Sequence, residues 1–212
     1  MPSVTEKART AVLVDFGGVI TSSVVRAFTD FGASLGGDPR LPLDLLSRDQ
    51  PSRTLLADHE SGRIDAEAFE RGFAERLRVH GADVQAEGLT ARMQAGMSID
   101  QHVLALLDDL RAAGYPVALV SNSFGTGTYD GVDLAAVADA VVISAEVGIR
   151  KPSRRIYAIA CERLGVTPEE AVMIDDLQQN LDGAARIGIE GILHTGAPDT
   201  RRQLAERFRI IA

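Results

Sequence analysis

Five short apolar runs constrain this chain more than any other feature: Ala11–Asp15, Pro116–Ser121, Ala140–Ser144, Ala171–Asp175 and Gly191–His194. Most are rich in Val and Ile and are continuous rather than alternating, the pattern of a strand covered on both faces. Helical patterns separate them. The expected architecture is therefore α/β: a Rossmann-like parallel sheet core built from βαβ units, with helices on both faces.

The helix boundaries carry their own punctuation. Ser98-Ile99-Asp100-Gln101 reads as a capping box, followed by a stripe of Val103, Leu106, Leu107 and Leu110 and a stop at Gly114. A second helix is expected from Pro152, a favourable first-turn residue, to Gly165, with Ile156, Ile159, Ala160 and Leu164 inward. A third runs from about Leu177 to Ile187 and ends at Gly188. Between Thr21 and Met97 the strand–helix alternation lapses into helical patterns alone. Asp65 reads there as an N-cap for a helix with Phe69, Phe73 and Leu77 along one side, and Pro39, Pro42 and Pro51 punctuate shorter helices. Residues 1–20 and 98–212 are thus expected to form the α/β core, and residues 21–97 a helical insertion after the first strand.

A length of 212 residues suits one such domain with an insertion. The formal charge of −8, with no lysine or arginine run, argues against a nucleic-acid partner. Cys161 is the single cysteine, so an internal disulfide is excluded and a reducing, cytoplasmic setting is expected. The first ten residues, MPSVTEKART, are polar, and no apolar run approaches the roughly 18 residues that span a bilayer, so no membrane association is expected.

In an open parallel sheet, ligands bind at the carboxyl ends of the strands. Those ends here carry Asp15-Phe16-Gly17-Gly18, Ser121-Asn122-Ser123, Arg150-Lys151-Pro152 after the third strand, and Asp175-Asp176 followed by Asn180. Carboxylates gathered in a low-dielectric crevice repel one another unless a cation joins them. An all-oxygen set without histidine or cysteine suits Mg²⁺. Lys151, with the hydroxyl of Ser121 and the amide of Asn122, adds donors for an anion beside the metal. A metal, a lysine and anion donors around a carboxylate are what phosphoryl transfer needs.

These motifs, in this order and along essentially the whole chain, resemble those of the haloacid dehalogenase-like (HAD) hydrolase superfamily. Asp15-Phe16-Gly17-Gly18-Val19 resembles its first motif, Ser121-Asn122 its second, Lys151-Pro152 its third, and Asp175-Asp176 with Asn180 its fourth. The insertion resembles a C1-type cap. His59-Glu60-Ser61-Gly62-Arg63-Ile64 is similar to the cap of the branch that holds sugar-phosphate phosphatases and the epoxide hydrolase N-terminal domain.

The resemblance implies a phosphatase of a small phosphorylated metabolite. Asp15 would be the nucleophile that becomes an aspartyl phosphate. Asp176 and the Gly17 carbonyl would bind Mg²⁺ with Asp15, and Asp175 would join directly or through water. Ser121, Asn122 and Lys151 would hold the phosphate, and Asn180 would orient metal-bound water or Lys151. One departure matters: most phosphatases of the family carry a second aspartate where this chain has Gly17, and Val19 stands where many place Thr or Ser. Loss of a proton-transfer group costs about 10²–10⁴-fold, so either the substrate has a good leaving group, such as a sugar 1-phosphate or acyl phosphate, or another group or water serves in its place.

Two other readings remain. A 2-haloacid dehalogenase also lacks that second aspartate but needs no metal, which leaves Asp175 and Asp176 without a purpose. A weakly active protein that binds phosphate ligands is supported by Gly17 alone.

Several residues have plain structural readings. Asp176 is expected to cap the following helix as well as bind metal. Gly125 and Gly127 make no dinucleotide fingerprint. His59, His80, His102 and His194 show no metal-ligand spacing. For His59 and Glu60 a solvated helix end is preferred to a position facing the site from the insertion, Cys161 is read as core, and Phe69 and Phe73 as the core of the insertion.

Overall fold

The computed structural model describes residues 8–210. The polar N-terminal stretch that argued against a leader falls largely on residues 1–7, outside the described residues. The chain runs β1 (Ala11–Val14), α1 (Val24–Ser34), α2 (Leu41–Arg48), α3 (Gln50–Glu60), α4 (Ala66–Val79), α5 (Leu89–Gln94) and α6 (Gln101–Ala112). It continues through β2 (Val117–Ser121), α7 (Leu134–Val137), β3 (Ala140–Ile143), α8 (Ser144–Val147) and α9 (Arg154–Leu164). It ends with β4 (Ala171–Asp175), α10 (Gln178–Ala185), β5 (Glu190–Leu193) and α11 (Ala197–Phe208).

The five strands form one parallel sheet in the order β3-β2-β1-β4-β5. All four residues of β1 are fully buried, because successive side chains enter opposite layers. Val12 and Val14 join Leu106, Leu110 and Leu204 in one cluster, while Leu13 joins Ile156, Tyr157 and Leu181 in the other. Continuous apolar runs are the direct consequence of this two-sided cover.

The order changes direction around β1, with β2 on one side and β4 on the other. The crevice at their carboxyl ends lies where connections leave in opposite directions. Asp15 follows β1, and Asp175 is the last residue of β4.

Helices α1 to α5 carry a separate apolar cluster, which includes Phe28, Phe31, Phe69, Phe73, Leu77 and Met93. Asp65 caps α4 by accepting from the Ala68 N–H at 2.7 Å. This helical layer leaves and rejoins the sheet at one place. Thr21 and Ile99 form an antiparallel bridge, flanked by bonds from Ser22 N–H to the Ser98 carbonyl and from Asp100 N–H to the Ile20 carbonyl, both 2.8 Å.

Three expected helix starts are corrected. Asp100, not Ser98, caps α6, accepting from the His102 N–H at 2.8 Å, because Ser98 is drawn into the paired neck beside Ser22. Helix α9 starts at Arg154 rather than Pro152, which follows a cis peptide bond in the preceding turn. Asp176 does not cap α10; Asp175 instead accepts the Leu177 N–H at 2.9 Å. Cys161 is buried in the core as expected. Among the described residues, no helix is long and apolar enough to cross a membrane.

Candidate active site

Each side chain of the crevice is held by the element that precedes it. Asp15 leaves β1 in an extended conformation, and its Oδ1 accepts the Phe16 N–H at 2.7 Å. The turn over Phe16–Ile20 then closes through a bond from Thr21 N–H to the Phe16 carbonyl at 3.0 Å. Gly18 makes that turn possible in two ways. Its φ of +78° suits glycine, and a Cβ there would stand 2.2 Å from Asp176 Oδ2. The turn and the aspartate can approach only because that side chain is absent.

Lys151 is 1% exposed, and its Nζ sits 2.6 Å from Asp15 Oδ1 and 2.8 Å from Asp175 Oδ2. Burial by itself would lower the ammonium pKa, but the two carboxylates outweigh it and hold the group above its ordinary value. The same burial raises Asp15 to about 7, with Lys151 opposing and Asp175 and Asp176 adding repulsion. Asp176 is raised to about 6 by burial and by its neighbour Asp175.

The two carboxylates after β4 differ. Both Asp175 oxygens are committed: Oδ2 to Lys151, and Oδ1 to the Leu177 N–H and to Asn180 Nδ2, each at 2.9 Å. The Asp176 carboxylate takes no hydrogen bond from another residue among the described ones, which leaves it free to ligate. One oxygen each from Asp15, Asp175 and Asp176 all lie within 4.8 Å of one another. One lysine cannot neutralise three clustered carboxylates, and an all-oxygen donor set fits Mg²⁺.

Asn180 Nδ2 donates to Asp175 Oδ1 and so holds that carboxylate, whose other oxygen meets Lys151. Asn122 spends its side chain on Lys151: its Oδ1 accepts the Lys151 N–H at 2.8 Å, and its Nδ2 donates to the Lys151 carbonyl at 3.3 Å. Ser121 Oγ accepts from the Tyr129 hydroxyl at 2.9 Å and donates to the Asn122 carbonyl at 3.4 Å, a long bond that an incoming anion can displace. Tyr129 is raised to about 12 by burial and remains a neutral donor.

Asp15, Gly17, Ser121, Asn122, Lys151, Asp176 and Asn180 share a cavity of about 710 Å³, roofed by residues of α1, α2 and α3. His59 and Glu60 are buried, which corrects their reading as a solvated helix end. His59 Nε2 accepts the Gly125 N–H at 2.8 Å, and its ring stacks on Phe69 with centroids 4.8 Å apart. Burial lowers the His59 pKa, which favours the neutral ring able to accept. The Glu60 carbonyl accepts from Ser144 Oγ, and the Glu60 carboxylate lies against Arg150. Although in contact, Glu60 Oε2 and Arg150 Nε are not aligned as a hydrogen bond. Glu60 is raised to about 7 by burial, with Arg150 pulling the other way.

Tyr129, Ser144 and Arg150 had no assigned role in the sequence. No local pattern announces Ser144 and Arg150, because their partner Glu60 lies far away in the chain, 84 residues in the case of Ser144, and Tyr129 reaches Ser121 only through the fold of the loop after β2.

The fold and this carboxylate–lysine crevice are those of a HAD-type hydrolase, and residues 10–188 match the haloacid dehalogenase-like hydrolase family. The chain belongs to that family. Among curated proteins it is 28% identical over 151 residues to flavin mononucleotide hydrolase 1 of Arabidopsis thaliana, covering 70% of this chain and 60% of that protein. It is 34% identical over 89 residues to (S)-2-haloacid dehalogenase 4A of Burkholderia cepacia, covering 41% of this chain and 38% of the relative. The chain thus spans less than two thirds of either relative's length. The fold is similar to that of a HAD family enzyme from Bacteroides thetaiotaomicron solved as a magnesium complex, with a TM-score of 0.63, 23% identity, and coverage of 89% and 94% of the two chains.

Proposed function

We propose that this chain is a Mg²⁺-dependent phosphatase of a small phosphorylated metabolite, working through an aspartyl phosphate on Asp15. The observation that carries the reading is the Asp15 carboxylate held 2.6 Å from a buried lysine within a cluster of three carboxylates. Asp15, Asp176 and the Gly17 carbonyl would hold the ion, with Asp175 reaching it through water. The ion would supply the positive charge that lets a phosphate dianion approach an aspartate.

The chain's own residues do the rest. Ser121 and the remaining amide hydrogen of Asn122 bind phosphate oxygens, and Lys151 balances their charge and aims Asp15. An Asp15 oxygen bonds to phosphorus as the ester P–O bond breaks, and the electron pair leaves on the ester oxygen. Water then adds to phosphorus, the bond to Asp15 breaks, and the water's protons stay on the released phosphate. The helical layer acts as the cap that shields this chemistry from bulk water. A cytoplasmic enzyme without nucleic-acid or membrane partners accords with the charge of −8 and the single cysteine.

The test is phosphate release from a panel that includes acetyl phosphate, with Mg²⁺ or EDTA. Asp15→Asn should lose about 10⁴-fold or more in rate. A panel left intact, or a variant as fast as wild type, sinks the reading.

A 2-haloacid dehalogenase is the second reading, favoured by Gly17 and by the Burkholderia relative. Halide release that persists in EDTA would support it. Against it stands Asp176, a free carboxylate in a site that a metal-free reaction gives nothing to neutralise.

A further inference from the structure

We propose, resting on the phosphatase reading above, that the site is built for aryl phosphates, monoesters whose leaving oxygen sits on an apolar ring. Two independent features of the cavity point there.

The first is its wall. Val24, Val25, Phe28, Leu43, Leu46 and Phe124 line the space beyond the phosphate site. Phe28 and Phe124 face each other with centroids 5.1 Å apart and planes tilted by 41°. Val25 is 47% exposed and Leu177, which also lines the cavity, 41% exposed. Large apolar side chains left open to water in a cavity of about 710 Å³ favour an apolar occupant over a hydrated polyol.

The second is proton supply at the leaving oxygen. Gly17 carries no side chain, and the place a Cβ would take is 3.1 Å from Val24 Cγ2. Apolar wall thus stands where a proton donor at that position would project. Of the other carboxyls lining the cavity, Asp58 is paired with Arg63 at 2.7 Å and Glu60 lies against Arg150. With both carboxyls held against arginines, a leaving group that departs as an anion and takes its proton from solvent is favoured. Phenols ionise near about 10, as tyrosine does, against roughly 16 for water-like hydroxyls, so a phenolate leaves without help where an alkoxide does not. In the transfer, an Asp15 oxygen bonds to phosphorus, the aryl P–O bond breaks, and its electron pair departs on the phenolate.

Four substrates of the wild-type enzyme with Mg²⁺ separate these features: phenyl phosphate, cyclohexyl phosphate, glycerol phosphate and acetyl phosphate. Phenyl phosphate should exceed cyclohexyl phosphate in kcat by at least about 10²-fold, the value of the missing acid. It should also show a KM at least about tenfold below that of acetyl phosphate, the value of apolar contacts in a pocket. Val25→Asp, at an exposed position, should shrink the phenyl-to-acetyl ratio of kcat/KM by a similar factor. Acetyl phosphate turned over with no preference for phenyl phosphate overturns the aryl assignment and leaves the phosphatase reading standing. Cyclohexyl phosphate hydrolysed as fast as phenyl phosphate, with only that activity lost in Glu60→Gln, also overturns it by making Glu60 the acid. No turnover of any of the four removes the phosphatase reading itself.

Discussion

Replacing Lys151 by Met leaves the size of the side chain nearly unchanged and removes its charge. Two carboxylates, at 2.6 and 2.8 Å from the lost ammonium, then face each other in a buried site. Breaking a buried pair by removing one partner costs about 3–5 kcal/mol, and at about 2–4 °C per kcal/mol for a chain of this length the melting temperature should fall by about 6–20 °C.

The pH dependence fixes the cause. Asp15 already has a pKa raised to about 7, and loss of the lysine raises it further. The folded variant then binds protons more tightly than the unfolded chain. Its stability should rise as pH falls from about 8 to about 5, and the deficit against wild type should shrink with it. Mg²⁺ should restore part of the loss at the higher pH by binding the exposed charge. Calorimetric or fluorescence melts of both proteins, at both pH values and with and without Mg²⁺, read all three effects. A variant that melts within about 2 °C of wild type at pH 8, or whose deficit does not change with pH, refutes the account of Lys151 as the counter-charge of the cluster.

Gly18→Ala should weaken Mg²⁺ binding in calorimetry by at least about tenfold, because the new Cβ would collide with Asp176 Oδ2 at 2.2 Å; affinity equal to wild type would contradict that contact. Tyr129→Phe removes a 2.9 Å bond to Ser121 and should cost about 1 kcal/mol in kcat/KM, roughly fivefold, with little change in melting temperature. Saturating Mg²⁺, at about 100 times its Kd, should stabilise wild type by about 2.7 kcal/mol and Asp176→Asn by much less, as read in thermal melts. Phe73→Ala, in the core of the helical layer, should destabilise by about 3–5 kcal/mol in denaturant titration.

The strands were legible because burial on both faces leaves runs such as Ala11–Val14 no polar alternative, and their ends carried Asp15 and Asp175 into one crevice. Asp65 was legible as a cap because capping is decided within three residues. Ser98 misled for the same local reason. Its pattern suits a helix start, but a partner 76 residues away claimed it. His59 and Glu60 look like any polar helix end, and they are buried by Phe69 of α4 and by the distant segments carrying Gly125, Ser144 and Arg150. The commitment of Asp175 to Lys151, Leu177 and Asn180 was hidden too, because adjacent identical residues do not show which of them turns toward the lysine.

The neck at Thr21 and Ile99 matters for how such a chain can change over time. Five helices enter and leave through neighbouring residues, so a different set of helices would have to satisfy that junction and the few contacts that His59, Glu60 and Gln94 make with the sheet layer. The sheet, its register and the carboxylates at its edge would be untouched. On the proposed reading, substrate choice and reaction chemistry would thereby be written in largely separable parts of one polypeptide.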